Sequence, residues 1–128
     1  MLKKIKVSRI LSQNQLVRFT CTGKYPREYY TGKARKYIAE TKNELEAQWE
    51  GPLLEGQLEI RIKVFDKFFN KKDGKIKKKD IDNFSKAILN CMTGIIYIDD
   101  SQIFKLILEK IHSEEIGMEI EVKKFGKN

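Results

Sequence analysis

This 128-residue chain holds one histidine and two cysteines, and that scarcity removes several chemistries at once. His112 stands alone, so a histidine nucleophile, a histidine base or a zinc site has no supporting partner. Cys21 and Cys91 lie 70 positions apart, which is neither a metal-ligand spacing nor a disulfide framework. Reduced thiols in a cytosolic protein are the simplest reading. No run approaches the roughly 18 apolar residues of a membrane span. The opening Met1-Leu2-Lys3-Lys4-Ile5-Lys6 is charged but lacks the apolar region of roughly 7–15 residues that a secretory signal needs. A cytoplasmic protein with no membrane partner is therefore expected. Repeats, linkers and low-complexity tracts are also missing, apart from one lysine run.

What is there suits a single domain spanning residues 1–128, with 41% hydrophobic residues and 13 aromatics to build a core. The net charge is +8, and it is unevenly spread. Residues 1–42 carry 11 basic and 2 acidic groups, and residues 61–79 carry 9 and 2. Residues 43–60 carry 5 acids and no base, while residues 80–128 carry 9 acids and 6 bases. Basic blocks that alternate with acidic ones favour a nucleic-acid partner over mere solubility.

Periodicity gives the elements. Short alternating runs around Ile5, Val7, Val17 and Phe19 suggest one or two strands, broken at Ser12-Gln13-Asn14. Ala34, Tyr37, Ile38, Thr41, Leu45 and Trp49 share a helical face, with Thr31 as an N-cap and Gly51-Pro52 as the stop. Leu58, Ile60, Ile62 and Val64 alternate with charges as a half-buried strand does. A lysine-rich connection over residues 66–79 turns at Asp73-Gly74. Ile81, Phe84, Ile88 and Cys91 define a second helix ending near Gly94, and Ile95–Ile98 is a strand candidate. Residues 103–111 suit a helix or a strand equally, and Met118, Ile120 and Val122 form a last strand. The expected fold is α+β, a small mixed β-sheet packed with two main helices.

The chemistry concentrates in residues 80–100, where Asp80, Asp82, Asp99 and Asp100 follow the basic run Lys71, Lys72, Lys75, Lys77, Lys78 and Lys79. Carboxylates hold hard divalent cations and lysines hold phosphates, so this pairing suits metal-assisted cleavage of a polyanion. Two residues apart within a helix, Asp80 and Asp82 would diverge by about 200°. They can converge only if Asp80 sits at the N-cap or a strand end. The bland alternative is that both cap the helix and complement its dipole. Lys86 follows Asp82 by four residues, either as an ordinary ion pair or as a cation beside the metal. Asp99 and Asp100 are neighbours that point apart on an extended chain, so one completes a metal site and the other faces solvent or a group behind the ligands. Asp73-Gly74 imitates an EF-hand centre, but the first and third ligand positions would be Phe69 and Lys71, which cannot bind calcium.

Lys77-Lys78-Lys79-Asp80-Ile81-Asp82-Asn83-Phe84-Ser85-Lys86-Ala87, followed by Gly94 and Asp99-Asp100-Ser101-Gln102, resembles the signature of RusA-type Holliday-junction resolvases. A basic run there leads into Asp-x-Asp-Asn-x-x-Lys, and Asp-Asp-x-Gln follows about one helix later. Ser12-Gln13-Asn14 is similar to the family's early Ser/Asn element, and Thr31 to Tyr37 to its first helix, although the Pro-rich lead-in is missing before Ser12. The resemblance implies Asp80, Asp82 and Asp100 as carboxylates for Mg2+, with Mn2+ as a substitute, and Lys86 as an essential lysine. It implies a homodimer that nicks opposing strands of a four-way DNA junction, leaving 5′-phosphate and 3′-hydroxyl ends. A bacterial or phage cytosolic setting follows, often prophage-borne. A non-catalytic nucleic-acid-binding module and a metal-dependent nuclease on other branched DNA are the competing readings.

Overall fold

The computed structural model describes residues 3–12, 17–20, 27–30, 32–78 and 80–126, with the backbone alone described for 17–20 and 27–30. The expected cap Thr31, Gln13, Asn14, Cys21 and Lys79 lie outside the described residues. Strands β1 (Lys3–Val7), β2 (Val17–Thr20) and β3 (Arg27–Tyr30) precede helix α1 (Gly32–Gln48). Strand β4 (Leu58–Asp66), helix α2 (Lys86–Met92), and strands β5 (Ile103–His112) and β6 (Gly117–Lys124) follow. Short 3₁₀ turns occupy Ile81–Phe84 and Asp100–Gln102. The chain is thus an α+β single domain, with a four-stranded sheet ordered β1-β6-β4-β5 and a separate antiparallel β2-β3 pair.

Period-2 alternation sorts β4 cleanly: Leu58, Ile60, Ile62 and Val64 are buried, while Glu59, Arg61 and Lys63 point to the other face. Ile5 and Val7 of β1 and Met118, Ile120 and Val122 of β6 continue the same buried layer. Helices α1 and α2 cover it through Ala34, Leu45, Ala87, Ile88, Cys91 and Met92. Helix α1 also closes the open edge of β1. The Gln48 amide accepts from Lys6 N–H at 2.9 Å and donates to Lys6 C=O at 2.6 Å, as a neighbouring strand would. Gly117 admits the close passage of β1, since a Cβ there would stand 2.5 Å from the Val7 carbonyl oxygen.

Strand β5 is the sheet's outer edge and runs parallel to β4. Parallel neighbours need a long crossover, and here it spans residues 67–102. Every candidate site residue lies in that crossover. The register skips Phe104 between Leu58↔Ile103 and Glu59↔Lys105, a bulge that leaves Phe104 58% exposed. Residues 103–111 are therefore strand, and the expected strand Ile95–Ile98 is instead a turn with a single bridging residue, Tyr97.

Candidate active site

The crossover follows Asp66, whose carboxylate accepts from Phe68 N–H at 3.1 Å, and then forms a short hairpin that turns at Asp73-Gly74 as expected. Asn70 pairs with Ile76, Lys77 N–H donates to Phe69 C=O at 2.9 Å, and Lys71 N–H donates to Lys75 C=O at 2.7 Å. The tip closes through Gly74 N–H donating to Lys71 C=O at 2.9 Å, with Gly74 at φ +84. That left-handed conformation is open to glycine, which is why Asp73-Gly74 reads as a turn. Lys71, Lys72, Lys75, Lys77 and Lys78 are all exposed on this hairpin and its exit. Phe69 anchors its base against Phe84, ring edge to ring face with centroids 5.8 Å apart. The basic run is thereby tied to the 3₁₀ turn that carries the first acidic pair.

Asp80 sits at the N-cap of that turn with extended backbone (φ −72, ψ 131), yet its side chain makes no capping hydrogen bond. The cap reading of Asp80 is therefore not realised. Asp82 lies in the first turn and is exposed, as is Lys86 at the start of α2. Asp82 and Lys86 form no ion pair, so the helix-pair reading of that spacing fails too. Asn83 serves the fold instead, donating from Nδ2 to Ser12 Oγ at 2.6 Å and so holding the turn to the buried end of the N-terminal segment. Phe84 is buried and the turn packs against β5.

The second acidic pair occupies the turn that leads into β5. Here the two neighbours divide their roles. Asp99 is the N-cap: its carboxylate accepts from Ser101 N–H at 3.1 Å, and hydrogen bonds from Ser101 hold its carboxyl below the ordinary aspartate value. Asp100 is exposed and makes no such bond. Gln102 Oε1 accepts from Ile98 N–H at 2.9 Å and Asp99 N–H at 3.0 Å, and its Nε2 donates to the carbonyls of Leu54 and Gly56, each at 3.0 Å. All four of its hydrogen-bonding positions are used, which fixes the Asp100 turn to the loop before β4. Behind it, Tyr97 is fully buried and its hydroxyl donates to Leu89 C=O at 2.6 Å, clamping α2 to the same turn. Burial first, and then the nearby Asp100 and Asp99 carboxylates, push the Tyr97 phenol up, so it stays a neutral donor. The sequence alone assigns no structural role to Gln102 or Ser12; for Gln102 the available signal is an amide within a run of acids.

The two turns both lie on β5, one against the strand and one at its start. Asp80, Asp82 and Asp100 are exposed carboxylates with no hydrogen-bond or ion-pair partner among the described residues. Such donors fit a hard divalent cation. They do not form a closed cage, because no three carboxylate, histidine or cysteine side chains among the described residues converge closely enough to hold a metal ion. Magnesium does not need one; it usually takes one or two carboxylates and completes its shell with water and substrate phosphate. Cys91 takes no part, since burial pushes its thiol up to about 11. No described helix is long and apolar enough to cross a membrane.

The sequence profile of the endodeoxyribonuclease RusA family matches residues 11–123, which includes the hairpin, both acidic turns and the whole crossover. Among curated proteins, the uncharacterized protein YqaN of Bacillus subtilis (strain 168) is 37% identical over 46 residues, 36% of this chain. The match spans 32% of that relative's own length.

Proposed function

The chain belongs to the RusA endodeoxyribonuclease family, and from that premise we propose that it is a magnesium-dependent endonuclease resolving four-way DNA junctions by paired nicks. The observation that carries the reading is the pair of turns on β5, whose exposed acids Asp80, Asp82 and Asp100 are left unpartnered beside a lysine hairpin. In this reading Asp80, Asp82 and Asp100 would supply the carboxylates for magnesium, with manganese as a substitute. The ion and the scissile phosphate would have to draw the two turns together, since the three do not converge by themselves. The ion when bound would supply Lewis-acid stabilisation of the phosphate and a more acidic water. Lys86, at the first position of α2, offsets negative charge as the phosphodiester is attacked or the leaving oxygen departs. Lys71, Lys72, Lys75, Lys77, Lys78 and Lys79 hold the flanking backbone and counter the repulsion of DNA by the acids.

Coordinated nicking of both strands requires two sites related by a two-fold axis, as a closed dimer provides. The bulged edge strand β5, with Phe104 and Leu106 exposed, supports an interface within residues 95–111. Sedimentation should then give about 30 kDa, twice the chain mass of 15.0 kDa. The decisive test is a synthetic mobile junction incubated with purified protein, with and without magnesium. Symmetrical metal-dependent cuts are expected. Tight junction binding with no cutting in either magnesium or manganese would instead favour a non-catalytic binding module.

A further inference from the structure

Ile76 is 80% exposed, the most exposed large apolar residue described, and it stands in the middle of the lysine hairpin. Single exposed apolar residues are common on surfaces. This one is set apart by its frame. Opposite residues of an antiparallel pair share a face, so Ile76 and Asn70 project away from the face that carries buried Phe69. Apart from its buried anchor Phe69 the hairpin is otherwise polar, and Lys71, Lys72, Lys75, Lys77 and Lys78 surround Ile76. Through Phe69 and Phe84 its base is locked to the turn that carries Asp80 and Asp82. An aliphatic wedge is thus held at a fixed offset from the candidate cleavage site, inside a cationic collar that would draw DNA backbone onto it.

We infer that the 69–77 hairpin is a DNA wedge, with Ile76 inserting between bases at the branch and the flanking lysines gripping the adjoining phosphates. The occupant is a base step, and two properties select it. Ile76 offers an apolar face that an unstacked base can cover, and the lysines supply the charge complementarity that other apolar partners would lack. Insertion of an apolar side chain partly unstacks a step, at a cost that falls where pairing is already weak, as at a branch point. Selectivity for branched over linear DNA would follow from that difference. The inference rests on the nuclease reading above and names the part of that site that recognises structure.

The test uses the full-length protein and a four-way junction carrying 2-aminopurine next to the branch, whose fluorescence rises when the base unstacks. Wild-type protein should raise the signal on the junction and leave a linear duplex unchanged. Ile76→Ser should remove most of the rise and slow junction cutting by on the order of tenfold or more. At 80% exposure the change should leave the melting temperature where it was. The cutting deficit should shrink on a junction with bases already unpaired at the branch. Normal fluorescence and normal cutting with Ile76→Ser would overturn the wedge while leaving the nuclease intact. Failure of the wild-type protein both to cut and to bind any DNA would overturn the nuclease reading, and the wedge with it.

Discussion

The outer face of the sheet and the β4-to-β5 crossover are both rich in charge, and they treat it in opposite ways. On the sheet, acids and bases meet. Lys4 reaches Glu121 at 3.6 Å, Arg61 reaches Glu109 at 3.5 Å, and Glu59 is shared by Lys123 at 3.3 Å and Lys105 at 3.8 Å. Cross-strand register explains most of this, because Lys4↔Glu121, Glu59↔Lys123 and Glu59↔Lys105 stand opposite one another on neighbouring strands. In the crossover, Asp80, Asp82, Asp100, Lys71, Lys72, Lys75, Lys78 and Lys86 have no ion-pair partner among the described residues. Acids and lysines occur there in quantity, but they are segregated into turns and hairpin. Charge neutralised within the fold serves solubility and register. Charge held apart is available to a cation and a polyanion.

The sharpest way to break the contrast is to neutralise the segregated acids. Asp80→Asn, Asp82→Asn or Asp100→Asn should each lower junction cutting by about a thousandfold, several kcal/mol of transition-state stabilisation. Binding should hold or tighten, because repulsion of phosphate falls. Thermal stability should not drop, since none of the three caps or pairs. Lys86→Ala should behave likewise on a smaller scale, with turnover lost and affinity largely kept. Near-normal cutting by one of the Asp variants would remove that residue from the site.

The hairpin lysines come next. Replacing Lys71, Lys72 and Lys75 together should weaken binding to every nucleic acid by on the order of tenfold or more at low salt. The slope of log affinity against log salt should flatten by up to about 0.9 for each phosphate the protein no longer neutralises. An unchanged slope would show that DNA follows another surface, such as the basic N-terminal third of the chain.

Much of this contrast could be read from the residues. Alternation in β4 and β6 is regular because one face is buried and the other paired, so both strands and their charged faces were legible. The bulge at Phe104 hid β5: it puts Ile103 and Leu106 on the same face three positions apart, which imitates a helix. Ile95–Ile98 misleads because Ile96 and Tyr97 are buried together in a turn, so burial there has no period. At the site, the acids announced themselves by type, but their division of labour did not. Whether Asp80 or Asp99 caps its turn depends on backbone dihedrals and on Gln102, whose partners Leu54 and Gly56 lie far away in sequence.

Gln102 permits a sharper test of whether the acids are merely exposed or are held in place. Gln102→Ala leaves two N–H groups and two carbonyls without their side-chain partner, at a cost of about 1–3 kcal/mol. The melting temperature should fall by several degrees, and cutting should fall further than stability predicts because Asp100 loses its support. The Asp99 cap supplies a pH signature for the same turn. A carboxyl held below its ordinary value adds stability at neutral pH, and that contribution fades as pH drops from the ordinary aspartate range through the lowered folded value. Asp99→Asn keeps the capping geometry and should remove that acid dependence, as acid unfolding followed by circular dichroism would show.

The smallest effect is expected on the sheet face, and its smallness completes the comparison. Glu59→Gln disconnects two lysines, but both of them reach solvent, with side chains 53% and 34% exposed. Pairs of that kind typically contribute about 0.2–1 kcal/mol, screened further by salt. A melting-point loss of no more than about 5 °C is expected. Junction cutting, its metal dependence and the salt slope should all stay at wild-type values, because Glu59 faces away from the crossover's buried side and touches neither acidic turn. Should Glu59→Gln instead impair cutting as strongly as Asp100→Asn does, the division between neutralised and segregated charge would fail. The sheet face would then have to be counted as part of the DNA-processing surface.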